Sequence, residues 1–168
     1  MSLPRSPPRL FALIIGINEY ESPDIKNLFG AVADADAIRD YLQEDLGVPS
    51  SQIRNLRDSQ ATRTAIINEI RAFSTNNYIK EGDPILIYFA GHGASAKTPE
   101  AWEAGSTGKT ELLVPYDYSS RLEDGCGNHE QGIPDRTLGA LLSHIASKKG
   151  DNIVRQTSIF HVYRLTTM

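Results

Sequence analysis

Two apolar runs constrain the fold of this chain more than any other feature. Leu10-Phe11-Ala12-Leu13-Ile14-Ile15-Gly16-Ile17 and Ile85-Leu86-Ile87-Tyr88-Phe89-Ala90 carry no charge and no polar alternation. A strand that is apolar on both sides has to be covered on both faces, which is the pattern of a parallel sheet flanked by helices. The first run ends at Asn18 and the second at Gly91-His92-Gly93.

Helical periods follow these runs. Ala35, Ile38, Leu42 and Leu46 recur at helical spacing over residues 32–46, with Gly47 and Pro49 as terminators. Thr62 is placed to cap a second helix with Ile66, Ile70 and Phe73 on one face. Leu138, Leu141, Leu142 and Ile145 mark a third, closed by Lys148, Lys149 and Gly150. Shorter strands are expected at Gln52–Leu56 and Glu111–Pro115, and the segment from Asn152 can supply a last one. A long loop is expected from Ala94 to Thr110 and a Gly-rich polar loop over 119–132. The expected fold class is α/β, a three-layer sandwich with a mostly parallel sheet. Residues 1–8, with Pro4, Pro7 and Pro8, read as a disordered leader to a single domain over 9–153. Residues 154–168 read as a divergent C-terminal tail.

Composition narrows the function classes. The 168 residues hold 17 Lys+Arg and 21 Asp+Glu, a net charge of −4 without charged blocks, which argues against nucleic-acid or anionic-membrane partners. No apolar run approaches the roughly 20 residues of a membrane span, and MSLPRSPPRL lacks a signal-peptide core. The expected location is the cytoplasm or the nucleus. The single cysteine, Cys126, rules out an internal disulfide framework and a thiolate zinc site.

Ligands of such sheets lie beyond the carboxyl ends of the strands, here Gly16-Ile17-Asn18 and Gly91-His92-Gly93. His92 is the leading candidate. An imidazole between two glycines, where an apolar strand stops, can give or take a proton at neutral pH and lets another molecule approach closely. Gly105-Ser106-Thr107-Gly108-Lys109-Thr110 ends like a phosphate loop, but Glu103 stands where its first glycine belongs and no strand precedes it. Asp34, Asp36 and Asp40 cluster near the start of the first helix, where carboxylates complement the dipole; Asp34 could alternatively face a pocket and pair with a cationic group. Cys126, among Glu123, Asp124 and glycines, lacks the surroundings that lower a thiol pKa, and Cys126 with His129 makes no metal site.

Four segments in order carry a resemblance: Leu13-Ile14-Ile15-Gly16-Ile17-Asn18, Leu28-Phe29-Gly30-Ala31-Val32-Ala33-Asp34-Ala35, Tyr88-Phe89-Ala90-Gly91-His92-Gly93 and Leu113-Val114-Pro115-Tyr116-Asp117. Over about Leu10 to Asn152 the chain resembles the caspase-like cysteine peptidases, nearest to fungal-type metacaspases. The resemblance implies that His92 is the catalytic histidine and that the Gly93 N–H helps hold the oxyanion. It also implies that Asp34 lies in the primary specificity pocket, favouring cleavage after Arg or Lys in a peptide or protein substrate. Calcium is a possible cofactor by the same resemblance, with no ligands assigned. The family nucleophile lies in Asp-Cys-x-Ser-Gly after the third helix, whereas this chain reads Val154-Arg155-Gln156-Thr157-Ser158-Ile159-Phe160-His161 there. The expectation is therefore a partial domain with its C-terminal part missing, inactive alone. The alternatives are a noncatalytic module that binds a caspase-like relative through an open sheet edge, and a small-ligand domain with its site near Asn18 and His92.

Overall fold

The computed structural model describes residues 7–97, 109–119 and 132–164. The elements run β1 (Phe11–Gly16), α1 (Ala31–Asp40), β2 (Ile53–Arg57), α2 (Arg63–Thr75), β3 (Ile85–Lys97), β4 (Lys109–Leu113), β5 (Ile133–Pro134), α3 (Asp135–Lys149) and β6 (Ile153–Arg164). They make one mixed sheet of the α/β class in which β1 is parallel to β2 and β3, and β6 is parallel to β3. The first half of β3 pairs with β1, from Phe11 opposite Ile85 to Gly16 opposite Ala90. Beyond the end of β1, the second half pairs antiparallel with β4, which in turn pairs with β5. β6 must then lie on the opposite flank of β3.

The apolar runs are covered on both faces, as their composition requires. In β1, Phe11, Leu13 and Ile15 join Ile66, Ile70, Leu138 and Ile145 of α2 and α3, while Ala12 and Ile14 join Ala31 and Ala35 of α1. Full burial of each Ile or Leu is worth roughly 1.5–3 kcal/mol, so this alternation across β1 and β3 fixes the register of the centre. Gly16 sets how closely α1 sits. A Cβ there would lie 2.7 Å from the Ala35 Cβ and 2.8 Å from the Ala31 carbonyl oxygen.

Helix boundaries follow the sequence signals with informative departures. Thr62 accepts a hydrogen bond from the Ala65 N–H at 3.2 Å, the expected cap of α2. The helical stretch over 32–46 divides: α1 ends at Asp40 and residues 41–45 form a π turn. Asp40 therefore stands at the end of α1, not in its first turn, and is paired with Arg39 at 2.8 Å. Gly30 offers α1 no side-chain cap. The Asn18 Oδ1 instead accepts from the Ala31 and Val32 N–H groups at 3.0 and 3.3 Å.

Two further expectations are corrected. The second apolar run does not stop at Gly91-His92-Gly93, and Ala94–Lys97 are not loop, because β4 and β6 supply partners to the far half of β3. The last strand expected from Asn152 is present: β6 runs along β3 from Ile153 opposite Ile85 to Arg164 opposite Ser95, and residues 165–168 lie outside the described residues. Residues 1–6, 98–108 and 120–131, with most of the two expected loops and Cys126, lie outside the described residues.

Gly16→Ala should lower the urea midpoint by the equivalent of about 1–3 kcal/mol, since both atoms it would meet are backbone or helix-borne; an unchanged midpoint would mean that α1 can shift without cost. Burial pushes the Tyr118 hydroxyl above its ordinary 10.0. The folded state therefore holds this proton more tightly than the unfolded state, and its contribution to stability is complete below 10.0 and lost as pH rises above it. Tyr118→Phe should flatten the alkaline loss of stability in urea melts compared across that range.

Candidate active site

His92 is 1% exposed, the one buried polar or charged residue of the described core. Its ring is held by the loop that follows β1. Nε2 lies 2.7 Å from the Lys26 carbonyl oxygen. A carbonyl can only accept, so Nε2 carries the hydrogen and, in the neutral ring, Nδ1 carries the lone pair. The His92 backbone N–H donates to the Tyr20 hydroxyl at 2.8 Å, and the two rings lie 5.0 Å apart, tilted by 36°. The His92 carbonyl accepts from the Val114 N–H at 3.0 Å, tying the same residue to the segment after β4. Backbone, ring plane and tautomer are thus all fixed.

The flanking glycines answer to close packing. A Cβ on Gly91 would meet the Phe89 ring at 2.9 Å and the Tyr20 hydroxyl at 3.1 Å, displacing the group that holds His92. On Gly93 it would meet the Ile159 side chain at 3.0 Å. Gly93 stands between two strands, opposite Leu113 of β4 and Val162 of β6.

Asp34 is half-buried in the first turn of α1. Burial pushes the Tyr88 hydroxyl above its ordinary 10.0, the negative charge of Asp34 pushes the same way, and a hydrogen bond with the Ser158 side chain opposes both. Asp34 is therefore close enough to Tyr88 for its charge to be felt. Tyr88 precedes Ala90, the residue level with Gly16, and His92 lies about 7 Å further along the strand. Asp34 and His92 are brought to the same end of the sheet. Asp36 and Asp40 are not part of this group: Asp36 meets Arg39 at 2.8 Å and Arg57 at 3.1 Å, and Asp40 meets Arg39. Among the described residues no cation pairs with the Asp34 carboxylate.

On β6, Ile159 stands opposite Gly91 and Val162 opposite Gly93, so Phe160 and His161 are the residues level with His92 across a bulge. No cysteine is among them. Asn18, an alternative ligand position, is occupied as the cap of α1. Among the described residues no three His, Cys, Asp or Glu side chains converge as a group that could hold a metal ion.

Tyr20, the Lys26 carbonyl, Tyr88 and Ser158 had no signal in the sequence. A carbonyl leaves no residue signature, and Tyr88 and Ser158 read as ordinary members of apolar and divergent runs. The only hint was Tyr20, an aromatic residue two positions past the strand-end Asn18.

No curated protein matches the chain. Among solved structures it is similar to protein GSU0716 from Geobacter sulfurreducens, at 20% identity and a TM-score of 0.61, covering 89% of this chain and 49% of that one. The chain thus spans about half the length of that structure, a likeness of fold alone. A family model described as a caspase domain matches residues 9–145, from two residues before β1 well into α3, and so takes in the whole of the loop that grips His92. With that match over most of its length and a sheet of the same α/β class beneath it, the chain belongs to the caspase-domain family.

Proposed function

We propose that this chain is the histidine-bearing part of a metacaspase-like cysteine endopeptidase that prefers Arg or Lys before the scissile bond, and that it is inactive by itself. The observation that carries the peptidase reading is the tautomer of His92: with Nε2–H given to the Lys26 carbonyl, Nδ1 is the nitrogen that can accept a thiol proton and later return it to the leaving amine. The basic preference is supported by Asp34, the one carboxylate of the α1 trio without a cationic partner among the described residues. A substrate guanidinium or ammonium would supply that partner.

Inactivity is supported by what stands beside His92. Phe160 and His161 occupy the level at which the nucleophile would be needed, and neither can form the thioester. The end of β6 also flanks Gly93, so a substrate carbonyl could reach the Gly93 N–H as an oxyanion donor only if residues 162–164 moved away. The second reading, a noncatalytic module that pairs with a caspase-like relative, is favoured by β6, whose flank away from β3 has no partner strand among the described residues.

The purified chain is expected to show no hydrolysis of peptides ending in Arg or Lys. Turnover that persists in Cys126→Ala would overturn the missing-nucleophile reading, and turnover abolished by both Cys126→Ala and His92→Ala would make Cys126 the nucleophile. For the specificity, NMR titration with a short arginine-amide peptide should give a Kd about fivefold weaker for Asp34→Asn, the upper range for a partly exposed ion pair. Equal affinities would remove Asp34 from the pocket.

A further inference from the structure

His92 is held by a loop, and the loop itself must be held. Two contacts on His92 come from residues 18–28: the Tyr20 hydroxyl takes the His92 backbone N–H, and the Lys26 carbonyl takes the ring Nε2–H. The loop closes on itself through the Leu28 N–H to the Asn18 carbonyl at 2.8 Å. At its stem the two successive N–H groups that follow Ile17 share one acceptor oxygen. The Asp58 Oδ1 accepts from the Asn18 N–H at 2.8 Å and from the Glu19 N–H at 3.0 Å.

Asp58 follows the last residue of β2 and has φ +43°, the one positive-φ residue other than glycine among those described. Left-handed backbone at a non-glycine residue costs on the order of 1 kcal/mol or more, and Asn and Asp bear it best. Glycine would relieve that cost but would supply no oxygen. The position thus combines a conformation that suits glycine with a side chain that only Asp or Asn provides in reach of two backbone donors. A carboxylate that accepts from two consecutive N–H groups also fixes the direction in which the chain leaves β1.

We propose that Asp58 is a positioning residue for His92: through the stem at Asn18 and Glu19 it sets the loop that fixes the imidazole tautomer, although it touches no reacting atom. The proposal rests on the reading of His92 as the base, and it assigns to that base a support outside the four segments that carry the family resemblance. The Glu21 N–H to the Tyr116 carbonyl, at 3.0 Å, is the loop's other described backbone anchor, and it precedes Lys26 by five residues.

The test reads the ring directly, by nitrogen NMR of labelled protein with the His92 signals assigned by difference against His92→Gln. The parent should show Nε2–H as the dominant neutral tautomer. Losing one or two hydrogen bonds of ordinary strength should raise the Nδ1–H population about tenfold in Asp58→Ala and Asp58→Gly, with a changed His92 titration midpoint. Asp58→Gly relieves the backbone strain and keeps the protein folded should Asp58→Ala fail. Asp58→Asn retains an acceptor oxygen and should preserve the parent tautomer within about twofold. A folded Asp58→Gly protein with the parent's tautomer and titration would overturn the proposal, as would an Asp58→Asn protein as disturbed as Asp58→Gly. No peptide is bound or turned over in this experiment, so a failure of the proposed function would appear in the arginine-amide titration and leave this result standing.

Discussion

The structure depends on how a buried imidazole is satisfied at the far end of an apolar strand. Taking an unpaired polar group out of water costs several kcal/mol, and the His92 backbone N–H and ring Nε2 avoid that cost through partners delivered by a segment more than sixty residues earlier in the chain. Because one partner is a carbonyl, satisfying the ring also chooses its tautomer. The same geometry explains the two glycines: space on one side belongs to Tyr20 and on the other to Ile159. What looks like a flexible Gly-His-Gly turn is the crowded interior of a strand.

Asn18 ties this site to the rest of the domain. Its side chain caps α1, its carbonyl closes the loop around Leu28, and its N–H is held by Asp58. One residue thereby fixes the exit of β1, the entry of α1 and the base of the loop between them. The close approach of α1 to Gly16 sets the remaining distance, so that the first turn of α1 lies at the end of β1, level with Ala90 in the middle of β3. The site is assembled by local geometry at the strand ends, consistent with the general placement of ligands in open α/β sheets.

Much of the fold was legible because burial dictates composition. The runs at Leu10–Ile17 and Ile85–Ala90 could only be strands covered on both faces, and Thr62, Gly47 and Gly150 marked helix ends by mechanisms that act locally. The errors share one cause. His92 looked like a strand end because its neighbours are glycines, yet pairing with β4 and β6 continues the ladder through them. Residues 153–164 lack the family motif, yet they form the strand that the segment from Asn152 was expected to supply, because an edge of β3 is open to them. Both outcomes were set by partners distant in sequence, which composition does not encode. His92 and Asp34 were legible as residue types in place; the atoms that orient His92, a carbonyl and a tyrosine hydroxyl, were not.

The fates of the three α1 carboxylates follow from helix geometry and strand order. Asp34 and Asp36 are two residues apart, about 200° around the helix axis, and so point to opposite sides. α1 lies over β1, where Gly16 admits it, and the sheet order places β2 on one side of β1 and β3 on the other. Asp36 accordingly reaches Arg57 at the end of β2, while Asp34 falls on the β3 side, near Tyr88 and the rim that carries His92. Asp40, six residues on from Asp34, has passed to the helix end and its own Arg39. The sheet thus separates a carboxylate committed to a structural ion pair from one left without a cationic partner among the described residues, although in the sequence the two are separated by a single alanine. Exchanging which side faced β3 would require α1 to turn by half a revolution, which the packing of Ala31 and Ala35 against Gly16 forbids.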